Sequence, residues 1–355
     1  MAEGGDELSK EEDGLQVMGE DIVADAEAMT VSAIVPVYNV AKYFPLCMES
    51  IAKQSRPFDE VVLVDDGSED ESGRLCDEYA NKYENVRVIH KKNGGLSSAR
   101  NEGIKAAACG WITFIDSDDW ISLDYNEVLC ALASKYEADL AMCGIARTGN
   151  RSLSSITVAA QDFPIHVYDC DEFAKVLLRV QGNRTIHYAP AKLYRRDLLE
   201  DEQFPVGILN EDVESAFKVT LRVNRVVETT STGYFYYFNP NSITGATFGE
   251  NYLNLSEVWQ RIYDIAKLSG TKWLPAVELN LKRADFTILC DALVHGSRET
   301  DAKYAKELGE HLKKLRGNIG FLLRSPIATN RKLAILLVTA FYKPTRFAVR
   351  AIKRK

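Results

Sequence analysis

Four short apolar runs, Val31–Val37, Glu60–Val64, Val86–Ile89 and Trp111–Ile115, alternate with stretches whose apolar positions recur at helical spacing. Such alternation predicts a mainly parallel central sheet flanked by helices, an α/β class. Ser68 followed by Glu71 has the spacing of a capping box and predicts a helix with apolar positions Leu75, Cys76, Tyr79 and Tyr83. A turn is expected over Asp65–Ser68. Asp139–Cys143 reads as another strand, and the polar stretch Thr148–Ser155 as a loop or hairpin. Lys192–Leu198 and Glu211–Val219 read as helices and Val226–Phe238 as a strand, with mainly helical patterning beyond about Phe248.

Ligands of open α/β sheets collect outside the carboxyl ends of the strands. Asn39, Asp65–Gly67 and Asp116–Asp119 all follow predicted strands, so three polar clusters are expected to converge on one crevice.

Composition adds two qualifications. With 355 residues, 46% of them hydrophobic, the chain is long enough for one large domain and an appendage. Charge is uneven: residues 1–28 hold ten acids and only Lys10, which predicts a disordered leader over 1–29, with Met29 an alternative start. From Leu312 to Lys355 there are twelve Lys or Arg and no acid, so of the net −8 residues 1–311 carry −20. The tail includes the apolar run Leu333–Tyr342, about half the roughly 20 residues a spanning helix needs. It suits a basic amphipathic helix at an anionic membrane surface, the alternative being a helix packed on the enzyme. Nucleic acid is not the expected partner. The seven scattered cysteines form no metal or redox pairs and fit a reduced, cytoplasmic compartment, with the tail placing the protein peripherally at the inner face of the membrane.

Three strings carry chemistry. Pro36, Tyr38 and Asn39 end the first run, and Asp65 and Asp66 end the second. Carboxylates there can accept hydrogen bonds from a nucleoside, with Tyr38 against its base, or merely cap a turn. In Asn93 to Gly103, Gly95 allows close backbone approach before a helix start that favours anions, with Arg100 a candidate diphosphate or sugar contact; the alternative is an ordinary strand-to-helix turn with Arg100 a surface ion-pair partner. The string lacks the phosphate-loop and dinucleotide fingerprints, which removes support for kinase and dehydrogenase readings. Asp116, Asp118 and Asp119 end an apolar strand and repel one another unless a cation, magnesium or manganese, joins them.

The order PVYN, VDDGS, NGGLSSARN, FIDSDD resembles the donor half of family 2 glycosyltransferases, covering roughly Val31 to Asp139. The resemblance implies a GT-A nucleotide-sugar-binding fold, with a catalytic domain over 30–248 (donor half 30–145, acceptor half 146–248). A helical extension over 249–311 and the tail over 312–355 follow. By that resemblance Asp116 and Asp118 hold a divalent metal on the donor diphosphate, and Asp65 and Asp66 contact uridine. APAKLYRRDLL and FPVGILNEDVESAF are similar to the acceptor-side segment, which makes Asp212 the catalytic base and Glu211 its neighbour. Asp119, His187, Lys192 and Tyr237 are acceptor-side candidates. Tyr237 and Asn239 stand where relatives often have arginines before Ser-Ile-Thr.

The implied reaction is inverting transfer of a sugar, from a uridine donor, to a hydroxyl of a glycan or lipid-linked acceptor in surface polysaccharide or glycolipid synthesis. A nucleotidyltransferase and a catalytically degenerate nucleotide-sugar-binding module are the alternatives. The first would need a basic triphosphate grip that VPVYN does not supply.

Overall fold

The computed structural model describes residues 28–149, 163–180, 184–237 and 248–352. The acidic leader up to residue 27, nearly all of Thr148–Ser155, Asn239 with its Ser-Ile-Thr loop, and residues 353–355 lie outside the described residues. The chain forms two compact units. One is drawn from Met1–Phe173, Tyr188–Val206 and Lys218–Tyr237, the other from Ala174–His187, Gly207–Phe217 and Phe238–Lys355.

The first unit holds the sheet. Its strands are β1 (Val31–Val37), β2 (Glu60–Asp65), β3 (Val86–His90), β4 (Trp111–Phe114), β5 (Trp120–Ile121), β6 (Leu140–Thr148), β7 (Ile165–Asp169), β8 (Lys192–Arg195) and β9 (Arg225–Tyr237). The order is β3-β2-β1-β4-β8-β6-β9-β5, with β7 paired to β9. β1 to β4 are parallel neighbours, and β8 runs antiparallel to both β4 and β6. Every residue of β1 is buried, as expected of a parallel strand covered on both faces.

Helices α1 (Phe44–Ala52), α2 (Ser72–Lys82), α3 (Leu96–Ala106) and α4 (Tyr125–Lys135) separate these strands. α3 lies close on the sheet because Gly103 carries no side chain; a Cβ there would run into Ile34 Cγ2 of β1. The first four strands match the apolar runs read from the sequence. Two expectations are corrected. Lys192–Leu198 is not a helix but β8 followed by one 3₁₀ turn, Arg196–Leu198. Its helix-forming residues are overruled by pairing on both sides, to β4 and β6. Ser68 and Glu71 form no capping box: Ser68 Oγ accepts from Asn39 N–H at 3.2 Å, and Asp70 Oδ1 takes the Ser72 N–H at 2.9 Å.

Helices α5 (Cys170–Leu177) and α6 (Glu211–Thr220) each straddle the boundary in the chain between the units. The second unit is otherwise helical: α7 (Glu250–Leu253), α8 (Leu255–Ser269), α9 (Leu274–His295), α10 (Arg298–Lys303), α11 (Ala305–Arg324) and α12 (Thr329–Ile352). Ile288 and Leu289 of α9, Leu315 and Leu322 of α11, and Ile335 and Val338 of α12 share its core. A buried pair, His311 Nδ1 to Asp285 Oδ1 at 2.7 Å, ties α11 to α9. α12 is kinked at Phe341, three residues before Pro344, whose ring and missing N–H break the helical ladder. Among the described residues no helix is long and apolar enough to cross a membrane.

Candidate active site

The three polar clusters stand at neighbouring strand ends of the sheet unit. Asp66 N–H donates to Val37 O at 2.9 Å and Ile115 N–H to Ile34 O at 3.0 Å, so the chain leaves β2, β1 and β4 side by side. Pro36 is buried within β1, whereas Tyr38 just beyond it is 46% exposed. Asn39, at φ 50°, accepts the N–H groups of Glu69 and Asp70 on Oδ1 at 2.8 and 3.3 Å. Its side chain therefore organises the loop after β2.

Asp65 and Asp66 are both buried and hold the loops around them. Asp65 Oδ1 accepts Ser68 N–H at 3.0 Å, and Oδ2 meets His90 Nδ1 at 2.8 Å. His90 also reaches Asp77 at 3.0 Å; Asp77 first, then Asp65, raises its pKa. Asp66 is the anchor of the glycine turn. It accepts Gly94 N–H on both oxygens at 3.0 and 3.2 Å, Gly95 N–H at 2.7 Å, and Lys91 Nζ at 2.5 Å. The positive φ of Gly95, 85°, places its N–H there and opens α3, and Asn93 is exposed beside it. Lys91 was not singled out from sequence; a lone lysine beyond β3 carries no local signal of its partner.

The third cluster is the acidic one. Arg100 is 1% exposed in α3, lies 5.2 Å over the Phe204 ring, and donates through Nη2 to Asp116 Oδ1 at 2.9 Å. The Asn101 side chain holds the Phe204 backbone, its Nδ2 donating to Phe204 O at 2.7 Å and its Oδ1 accepting Phe204 N–H at 2.9 Å, which fixes the ring under Arg100. Asp116 remains partly open, 27% exposed, and Asp118 is half-buried.

Asp119 differs from the acceptor-side position expected for it: it is 1% exposed and turned into β9. Tyr234 O–H donates to its Oδ2 and Tyr237 N–H to its Oδ1, each at 2.8 Å, while Asp116 N–H donates to Tyr234 Oη at 3.1 Å. Burial first, then the charges of Asp116 and Asp118, pushes the Asp119 carboxyl up to about 8. Tyr234 thus joins Asp116 to Asp119 from more than a hundred residues away, a polar link that its place among the aromatics of β9 does not signal in the sequence. The Tyr237 ring packs on Tyr43 with centroids 5.3 Å apart.

No group of three or more His, Cys, Asp or Glu side chains able to share a metal ion occurs among the described residues. Asp116 and Asp118, whose charges add to burial in raising Asp119, are the carboxylates that would hold a hard divalent ion, which usually binds through one or two of them.

The remaining candidates are structural in part. Lys192 is buried, with Nζ on Tyr188 O and 4.2 Å from the Tyr188 ring centroid. In the helical unit, His187 Nε2 meets Leu177 O at 3.0 Å and is buried. Glu211 and Asp212 occupy the first turn of α6, where the helix dipole favours carboxylates. Two residues on, buried Glu214 receives the Arg261 fork, Nε at 2.6 Å and Nη2 at 3.2 Å, fixing that turn to α8. A cavity of about 420 Å³ between Asp139, Tyr168 and Arg225 lies where β6 and β9 begin, the opposite edge of the sheet from Asp116. Its Asp139 is taken by Arg195 Nη1 at 2.5 Å and Asn224 N–H at 2.7 Å.

The family profile described as Glycosyl transferase family 2 matches residues 32–202. The Bacillus subtilis (strain 168) protein named Uncharacterized glycosyltransferase EpsJ is 34% identical over 223 residues, 60% of this chain and 62% of that one. Glycosyltransferase GlyG of Streptococcus pneumoniae serotype 4 is 30% identical over 251 residues, 68% of this chain and 81% of its own. This chain belongs to glycosyl transferase family 2. The family 2 segment thus contains all three polar clusters and ends before α6. The chain spans 62%, 31% and 55% of three of its curated relatives. Staphylococcus aureus TarS 1–349, solved in complex with UDP-GlcNAc, matches with a TM-score of 0.65 over 92% of each chain at 21% identity, which shows a shared GT-A fold.

Proposed function

We propose that this family 2 member transfers a sugar from a uridine nucleotide-sugar to a hydroxyl of a glycan or lipid-linked acceptor, with inversion, in surface polysaccharide or glycolipid synthesis. The carrying observation is the Asp116–Asp118 pair at the end of β4, with Asp116 held by the buried Arg100 beside the exposed Tyr38 and the glycine turn. TarS, of like fold, was solved with UDP-GlcNAc, which supports the uridine donor. Tyr38 packs on the base, the backbone of Asn93–Gly95 approaches the donor, and Asp116 and Asp118 hold magnesium or manganese. A bound divalent ion supplies Lewis-acid stabilisation of the departing diphosphate. Asp65 and Asp66 shape the uridine pocket through the loops they anchor, and Asp65, with one partner on each oxygen, has lone pairs left for the nucleoside. Asp212 takes the proton of the attacking hydroxyl, on a helix turn steadied by Glu214 and Arg261.

The test is calorimetric titration with uridine diphosphate and with uridine, each with and without manganese. Chelation, or Asp118→Asn, is expected to weaken the diphosphate strongly and uridine little. Equal diphosphate affinity with and without metal overturns the assignment. Nucleotide release from a donor panel separates a working enzyme from a binding module.

The helical unit supports a location as well. Leu333, Leu336, Leu337, Phe341 and Phe347 of α12 are 40 to 74% exposed, while Ile335, Val338 and Tyr342 on its other side are buried. The exposed positions recur at helical spacing and share the helix with Lys332, Lys343 and Arg346. One face thus packs on the enzyme while the other suits the headgroup region of an anionic inner leaflet, in the cytoplasm.

A further inference from the structure

In the helical unit, α5 closes with two backbone bonds, Arg179 N–H to Val176 O at 3.0 Å and Val180 N–H to Lys175 O at 2.9 Å. That pair is a Schellman cap, whose left-handed position is usually glycine. Here the position is Arg179, at φ 53°. A side chain strains the backbone there, and the cap itself makes no use of a guanidinium. The reason for an arginine lies in where its charge is delivered.

Asn280 of α9 fixes a second arginine beside it. Its Nδ2 donates to Leu178 O at 2.8 Å and to Ala276 O at 2.9 Å, and its Oδ1 accepts from Arg283 Nη2 at 2.5 Å. One side chain therefore joins the residue before Arg179 to Arg283. A third arginine, Arg331, stands in the first turn of α12, whose Ile335 shares a core with Ile288 of α9. Burial first, then Arg331 and Arg179, holds the Arg283 guanidinium down at about 10. Burial and then Arg331 lower that of Arg179 too, and among the described residues no carboxylate enters either balance. Arg179 Nη2 donates to Thr185 Oγ1 at 2.6 Å, and its Nε is buried with no hydrogen-bond partner among the described residues.

Like charges drawn partly out of water repel one another unless an anion joins them. Guanidinium forks match the oxygens of phosphate, and a phosphate presents more acceptors and charge to three of them than a carboxylate does. We propose that Arg179, Arg283 and Arg331 form a binding site in the helical unit for a phosphate group, carried by a phosphorylated glycan or polyol or by a lipid headgroup. The site does not depend on the nucleotide-sugar reading, because uridine nucleotides are not its probes.

Thermal unfolding of the full chain in sodium phosphate against sodium chloride at matched ionic strength tests it. A saturable, phosphate-specific rise in Tm is expected. Arg179→Gly restores the usual cap residue, so this variant is expected to fold with a Tm in chloride at least equal to that of the parent and to lose the phosphate response. Arg283→Met is expected to weaken phosphate about tenfold, the scale of one lost charged hydrogen bond. Calorimetry with glycerol 1-phosphate and with monomeric dihexanoyl phosphatidylglycerol distinguishes the sources: equal affinities mean that the phosphate alone is read, and tighter lipid binding means a headgroup. No phosphate-specific rise in the parent, or an undiminished rise in both variants, overturns the proposal.

Discussion

At the carboxyl edge of the sheet the acids are held by the chain's own groups: Asp66 by Lys91 and two glycine N–H groups, Asp116 by Arg100, and Asp119 by Tyr234 and Tyr237. The helical unit treats charge and apolar surface differently. Arg179 and Arg283 are set close together with no carboxylate of the described residues between them, and α12 turns leucines and phenylalanines outward. The first arrangement is fixed before any ligand arrives, as transition-state stabilisation requires. The second leaves interactions incomplete, which is how a protein marks surfaces meant for something outside itself.

Four experiments press on that contrast. The largest effect is expected at Asp212: Asp212→Asn should lower transfer about 100- to 10,000-fold while donor affinity changes little, and Glu211→Gln should cost less. Near-normal transfer by Asp212→Asn would move the base elsewhere, with Glu211 the first alternative. Next is α12. Leu336→Glu with Leu337→Glu should reduce binding to anionic vesicles at least about tenfold, from the apolar area lost, with donor hydrolysis unchanged. Substitution is the proper probe because deleting residues 312–355 would also remove Leu315, Leu322, Ile335 and Val338 from the core. Unchanged vesicle binding would leave α12 as a packing helix only.

In the sheet unit, Asp66→Ala strands Lys91 and the Gly94 and Gly95 N–H groups and should cost about 2–3 kcal/mol, measured by denaturant unfolding. A loss within experimental scatter would mean that the turn does not rely on this carboxylate. The smallest effect belongs to His90, whose side chain is 48% exposed. Its folded pKa is raised by Asp77 and Asp65, so the contribution is fully present below about pH 6.5 and lost as pH climbs through the raised value. His90→Gln should cost under about 1 kcal/mol at pH 5.5 and nothing at pH 9. An equal cost at both would mean that packing, not charge, is what His90 contributes.

β1, β2 and β4 were legible because each is a largely buried apolar run ended by polar residues, and the same rule put Asn39, Asp65 and Asp116 at one edge. β8 was misread because four residues, Lys-Leu-Tyr-Arg, show no period of their own and take their conformation from β4 and β6. Asp119 looked like one more strand-end acid; only Tyr234 and Tyr237, far along the chain, turn it inward. The arginine site was invisible for the same reason, since Arg179, Arg283 and Arg331 belong to three helical segments brought together by folding.

The position of β9 also bears on the order in which the molecule can be made. β5, β6 and β7 all pair with this one strand, which is among the last parts of the sheet to leave a ribosome. Until residues 225–237 emerge, β5 and β7 lack a partner and β4 offers an open edge, closed only by β8. The four parallel strands can assemble early, but the nascent chain carries unpaired strands from the emergence of β5 until β9 follows. Ribosome-bound chains ending before β9 are therefore the stage at which this protein is most prone to aggregate and most in need of chaperones.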